Sequence, residues 1–188
     1  MNIFRLFNCT LQLALLFCSG MVLVLQPEPV FAGRQAEEAQ LKAAYIYNFG
    51  KYVTWPTLAA IDPVDICLLG RDSLAEPLQR LEGKKIGDRE ITVELLGSSA
   101  VRTDCQVLFI SRSQQELLAD ILVQLAGDAV LTVSDIQGFA RKGGMIELVR
   151  KEKKIRFIIN LDSVHRAGLV ISSRLLNLAT ILSGEGNP

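Results

Sequence analysis

Along the chain, the first pattern of apolar and polar positions is a run from Leu11 to Leu25, broken only by Gln12 and the small residues around Ser19. Arg5 is the one charge ahead of it. The run is about 15 residues long, short of the roughly 20 that span a bilayer. Pro27 and Pro29 stop any helix, and Val30-Phe31-Ala32 carries the small-residue pattern of a signal-peptidase site. The expectation is an exported protein, with residues 1–32 a signal peptide cleaved between Ala32 and Gly33. Residues 33–188 then make one domain, a length that suits a single core.

From Arg34 to Trp55 the period becomes helical: Leu41, Tyr45, Phe49 and Tyr52 fall on one face, and Pro56 closes the helix. Val64–Leu69 reads as a buried strand ended by Gly70, Ser73–Leu81 as a short helix, and Ile91–Leu96 and Cys105–Ile110 as strands. A helix over 114–125 should turn Leu117, Leu118, Ile121 and Leu125 inward. Ala129–Val133 is a further short strand. Met145–Val149 and Ile155–Ile159 flank the charged stretch Arg150-Lys151-Glu152-Lys153-Lys154, which predicts an antiparallel hairpin with an exposed turn. Asn160 or Asp162 can cap a helix ending near Ala167. A last helix should start at Ser172 or Ser173, capped by their hydroxyls, with Leu175, Leu178, Ala179 and Leu182 as its apolar stripe. Strands that are apolar throughout and alternate with helices imply a sheet covered on both faces. The fold class is therefore α/β: a three-layer α/β/α sandwich with a mixed, mostly parallel sheet and an antiparallel edge hairpin.

Charge and cysteine count narrow the function. The formal net charge is zero, and removing residues 1–32 takes away only Arg5 and Glu28. A neutral domain with no clustered basic face gives no electrostatic case for nucleic acid. Cys9 and Cys18 leave with the signal peptide, so Cys67 and Cys105 remain, and an even pair in an oxidising compartment reads as a disulfide. Such a cross-link constrains the unfolded chain by about 4 kcal/mol. It is read first as a structural staple, with a reducible switch as the alternative.

Candidate chemistry is sparse. His165 is the only histidine, which excludes a metal site built on several imidazoles. There is no Gly-x-Ser-x-Gly elbow and no P-loop. Ser163 and His165 are spaced so that they do not face each other on a helix. No catalytic set and no cofactor are called for. Gly138-Phe139-Ala140-Arg141-Lys142-Gly143-Gly144 can be read as a turn or as an anion nest with two cations, Arg141 and Lys142. Lys51 and Trp55 close the first helix, where Trp55 is either a partner anchor or a core-edge aromatic. Arg174, near the start of the last helix, is mismatched with the helix dipole and suggests a specific anion or partner contact. Lys51, Trp55, Arg141, Lys142, Gly143, Gly144, Asn160 and Arg174 are therefore the candidate ligand or partner contacts.

The segments Ala44 to Pro56, Val130 to Asp135, Gly138 to Ala140, Gly143 to Ile146, Ile155 to Leu161 and Ser172 to Leu176 resemble, in order, those of the YfiR-like family. The resemblance implies a periplasmic regulator of a Gram-negative bacterium. Such a protein restrains an inner-membrane diguanylate cyclase by binding its periplasmic sensor domain, lowering cyclic-di-GMP and biofilm formation. An outer-membrane lipoprotein can sequester it. Cys67 and Cys105 match a family disulfide, while the second cysteine pair of some members is missing from residues 33–188. The family defines no catalytic residues, and its members work beside different sensory proteins, sensor kinases included. Three readings follow: a docking regulator of a membrane sensor, which dimerisation would serve; a receptor in which Arg174 and Arg141 or Lys142 pair with an anionic ligand, which can be combined with the first; and, least favoured, an enzyme, for which no convergent acid, base or nucleophile set is visible.

Overall fold

The computed structural model describes residues 30–56, 62–97, 101–152 and 154–183. The segment expected to be a signal peptide, residues 1–32, lies almost wholly outside them. By contact density the chain divides at Ala32/Gly33, and everything below concerns the unit Gly33–Pro188. The elements in chain order are α1 (Val30–Tyr52), β1 (Val53–Thr54), β2 (Val64–Leu69), α2 (Ala75–Gln79), β3 (Lys85–Ile86), β4 (Arg89–Leu96) and β5 (Val107–Ile110). After a 3-10 helix (Arg112–Leu117) come α3 (Leu118–Gln124), β6 (Leu131–Ser134), β7 (Ile146–Lys151), β8 (Lys154–Asn160), α4 (Leu161–Arg166), β9 (Val170–Ile171), α5 (Ser173–Leu176) and β10 (Thr180–Leu182).

Eight strands form one mixed sheet in the order β10-β8-β7-β6-β5-β2-β4-β3. The centre is parallel: Ile66 of β2 is flanked by Val93 of β4 and Val107 of β5, and Phe109 of β5 faces Val133 of β6. β3 and β4 close one end as an antiparallel hairpin. β7 and β8 pair antiparallel through the charged turn, and the short β10 runs parallel to β8 on its outer side. The small pair β1 and β9 stands apart from this sheet.

The runs Ile66–Leu69 of β2 and Val107–Ile110 of β5 are apolar throughout and become two-faced, because successive side chains point to opposite sides of a sheet. Ile66, Leu68, Val107 and Phe109 join one core, with Ile46 and Phe49 of α1 and Leu74 and Leu78 beside α2. Cys67, Leu69, Leu108 and Ile110 join a second core with Leu118 and Ile121 of α3 and Leu125 just after it. The sheet is thus covered on both faces, as a three-layer α/β arrangement requires.

Three local expectations change. The buried side of α1 carries Ala39, Ala43, Ile46 and Phe49, whereas Leu41 is 44% exposed. A close-packed helix can bury alanine against the sheet and leave a larger leucine on its shoulder. Tyr45 is half-buried: its ring packs edge-on to Phe157, and its hydroxyl donates to the Ile155 carbonyl at 3.1 Å. Leu117 is exposed too, because the 3-10 turn ahead of α3 rotates it off the α-helical stripe that buries Leu118 and Ile121. The last helix is a single turn, α5, and Ser172 precedes it without a side-chain cap bond. Thr180-Ile181-Leu182 leaves the helical path to bond with Ile158, Ile159 and Asn160, so Leu178 stays 70% exposed.

Candidate functional site

The cysteines meet as expected. Cys67 and Cys105 form a disulfide across 38 residues with Cα atoms 6.0 Å apart. Both are buried in the second core. The outer edge of the bridge is bordered by Arg102, which donates to Glu94 at 2.7 Å and to Asp104. That hydrogen bond is the chief reason the Asp104 carboxyl sits below the ordinary range.

The glycine-rich loop turns out to be a nest with its own anion inside. Glu147, one residue into β7, is only 4% exposed between the buried Ile146 and Leu148. One carboxylate oxygen accepts from the Gly138 N–H at 2.8 Å and the other from the Ala140 N–H at 3.1 Å. A buried carboxylate is costly unless hydrogen-bonded in this way. Asn160 fixes the other side: its Oδ1 caps α4 by accepting from Ser163 N at 3.0 Å, and its Nδ2 donates to the Ala140 carbonyl at 2.7 Å. Gly144 is required for space, since a Cβ there would collide with the buried Phe139 ring. Gly143 is required for conformation, with φ +102°. Gly138, Ala140, Asn160, Gly143 and Gly144 therefore hold the loop, and only the side chains of Arg141 and Lys142 remain exposed from it.

The expected contact residues fall into two groups. The β1–β9 ladder, extended by a bond from Ser172 N to the Tyr52 carbonyl at 2.9 Å, draws the segments of Lys51, Trp55 and Arg174 together. Lys51 is exposed, with its ammonium 5.7 Å from the Tyr52 ring centroid. Trp55 is core-buried at 4% exposure and its indole N–H donates to the Gln106 carbonyl at 3.1 Å, so it presents no free anchor. Arg174 is exposed, and on a one-turn helix the dipole mismatch read from the sequence loses its force. Arg141 and Lys142 belong to the second group, with the loop.

Two features escaped the sequence. A groove of about 530 Å³ runs between α3, the loop end and α4, lined by Leu122, Leu125 and Ala167 and by the cations Lys142 and Arg166. A charged chain also runs past the C-terminal end of β6: Arg150 bonds Glu38, Glu38 pairs with Lys42 at 2.9 Å, Lys42 donates to Asp135 at 2.6 Å, and Arg112 lies 3.1 Å from Asp135. Burial pulls the Lys42 ammonium down, but hydrogen bonds to Asp135 and Glu38, with their charges, outweigh it and leave its pKa raised. The i,i+4 spacing of Glu38 and Lys42 was the available sequence signal. Beside this chain, Arg34, Leu41 and Lys154 line a second groove of about 380 Å³ between α1 and the β7–β8 hairpin.

The place where an open α/β sheet ordinarily binds ligands is closed. The crossovers through α2 and α3 pack on opposite faces, so strand order reverses between β2 and β5. There, Ser111 Oγ donates to the Arg71 carbonyl at 2.6 Å, and Ser113 Oγ accepts from Arg71 N at 3.0 Å. Gln114 is buried against Gly70 in the same crevice. Among the described residues, no group of three or more His, Cys, Asp or Glu is placed to hold a metal ion. No described helix is long and apolar enough to cross a membrane.

A family model described as YfiR/HmsC-like matches residues 39–180, from α1 into β10. The fold is also similar to the crystal structure of a conserved domain protein from Vibrio cholerae O1 biovar El Tor str. N16961, with a TM-score of 0.53 and 11% sequence identity. That match covers 77% of this chain and 60% of the other, and at this identity it bears on fold alone.

Proposed function

The chain belongs to the YfiR/HmsC-like family, and we propose that it docks on the periplasmic sensor domain of an inner-membrane signalling protein, restraining a diguanylate cyclase and so lowering cyclic-di-GMP. The carrying observation is the extent of the family match: it runs over the whole fold rather than one motif. The family suggests a periplasmic regulator of cyclic-di-GMP signalling rather than an enzyme. Export through residues 1–32, with cleavage before Gly33, belongs to the same proposal, as does sequestration by an outer-membrane lipoprotein.

The groove between α1 and the β7–β8 hairpin supports a docking role. Leu41 is exposed there among Arg34, Glu37 and Lys154, an apolar centre within a charged rim. Tagged protein beginning at Gly33 should recover an inner-membrane diguanylate cyclase or sensor kinase from solubilised membranes, identified by mass spectrometry. Leu41→Glu should reduce that recovery without moving the melting midpoint. Empty eluates after crosslinking would overturn the docking reading. A second reading, a receptor for a small anion that reports through a membrane sensor, is favoured by the cations along the groove between α3 and α4, Lys142 and Arg166, which form no ion pair among the described residues.

A further inference from the structure

The receptor reading can be given a site and a ligand class. Lys142 and Arg166 both line the groove of about 530 Å³, whose walls include Leu122, Leu125, Met145 and Ala167. Neither cation forms an ion pair with a described residue. Arg166 Nη2 donates to Ser163 Oγ at 2.9 Å, and Ser163 Oγ donates to the Gly143 carbonyl at 2.9 Å. This tethers the arginine to the backbone residue next to Lys142. The N–H groups of Lys142, Gly143 and Gly144 are already engaged: Lys142 bonds the Gly138 carbonyl at 3.0 Å, Gly143 bonds Ala140 at 3.3 Å, and Gly144 bonds Phe139 at 3.0 Å. At this end of the loop the two side chains are therefore the groups offered to an anion.

Lys142 and Arg166 are exposed like charges that line one largely apolar groove, on a backbone fixed by Glu147 and Asn160. The groove volume lies within the roughly 300–1,000 Å³ of small-molecule sites, where an apolar wall with a few convergent polar groups sets orientation. We infer that this groove binds a small amphipathic organic anion, with its apolar body against Leu122, Leu125 and Ala167 and its acidic head between Lys142 and Arg166. The inference rests on the receptor reading and is independent of docking on a membrane sensor, which the pull-down measures separately.

The test uses the full chain, expressed with its own leader and purified from the periplasm, titrated with 1-anilinonaphthalene-8-sulfonate. Saturable binding of one dye per chain is expected. The Lys142→Gln/Arg166→Gln double variant should weaken it at least tenfold while melting as the wild type does. The neutral analogue N-phenyl-1-naphthylamine should bind the wild type at least tenfold more weakly and be indifferent to the double substitution. Ala126→Trp, which plugs the groove and leaves both cations, should also abolish dye binding. Free decanoate should displace the dye. Equal binding by wild type and double variant would overturn the inference, as would equal binding of the neutral dye. Binding confined to phosphatidylglycerol vesicles would overturn it too, pointing to a membrane surface instead.

Discussion

The two faces of the sheet are both apolar, yet they are closed by different means. The first is closed by packing: the long helix α1 lays Ile46 and Phe49 onto the strands, and Phe49 and Phe157 meet edge to face with ring centroids 5.3 Å apart. Among the described residues, the second core is covered by the short α3. It makes up the difference with a cross-link at Cys67–Cys105 and with a loop pinned around the buried Glu147 carboxylate. Packing spreads its stabilisation over many weak contacts, whereas staples concentrate it at a few points and leave room between them. That room is the groove beside Lys142 and Arg166, so the open site and the scarcity of helix on this face have one cause.

The largest effect should come from the packed face. Phe49→Ala removes a fully buried ring and should cost about 4 kcal/mol, the usual range for such a deletion, read as a lower midpoint in urea. A loss under 1 kcal/mol would mean that α1 is not what holds the first face. The stapled face should respond to redox instead. The Cys67→Ser/Cys105→Ser double variant should lose about 2–4 kcal/mol, and dithiothreitol should shift the wild type toward it while leaving the double variant unchanged. Identical melts of oxidised and reduced wild type would remove the covalent half of the contrast.

A smaller loss is expected at the polar staple. Glu147→Gln turns an NH2 group toward one of the two backbone N–H donors, leaving it unpaired at a cost of about 1–3 kcal/mol. Amide exchange at Gly138 and Ala140 should accelerate in this variant while exchange in β2 and β5 stays slow. Uniform acceleration across the sheet would show that the loop is not a separate staple.

Much of this contrast was legible in the chain and part was not. The runs Val64–Leu69 and Cys105–Ile110 announced strands buried on both sides because they hold no polar alternation. The cysteine pair announced its bridge through compartment and count. The stripe on α1 was misassigned because Leu41 and Tyr45 outrank Ala39 and Ala43 in apolar size, while burial is decided by distance to the sheet, a non-local quantity. The tail beyond Leu175 has a helical apolar period, but Thr180-Ile181-Leu182 gains a parallel ladder with β8 that no local window contains. The glycine loop was read first as a turn and alternatively as an anion nest, and its Gly138 and Ala140 N–H groups hold the chain's own Glu147 carboxylate. That the anion is Glu147 could have been suspected from a lone acid between Ile146 and Leu148. Arg166 was passed over because nothing around it in sequence marks a groove formed by α3 and α4.

The smallest effect lies where the two faces meet. Asp135, just past β6, receives Lys42 from α1 on the first face and Arg112 from the 3-10 turn that leads into α3 on the second. The folded state raises the Lys42 pKa above its ordinary 10.5, despite burial, through Asp135 and Glu38. A group bound more tightly to its proton when folded contributes stability that is fully present below the unfolded pKa and fades as pH climbs through the raised one. The contribution should therefore be flat through neutral pH and decline only above about pH 10.5, the unfolded lysine value. Other lysines and tyrosines titrate in the same range, so the informative quantity is the stability gap between wild type and Asp135→Asn, measured by urea unfolding at pH 8 and pH 11. The gap should narrow at pH 11, because the unfolded chain has by then begun to release its lysine proton and the advantage of holding it beside Asp135 is fading. A gap of equal size at both values would assign the cost of Asp135→Asn to Arg112 and the stapled side rather than to α1.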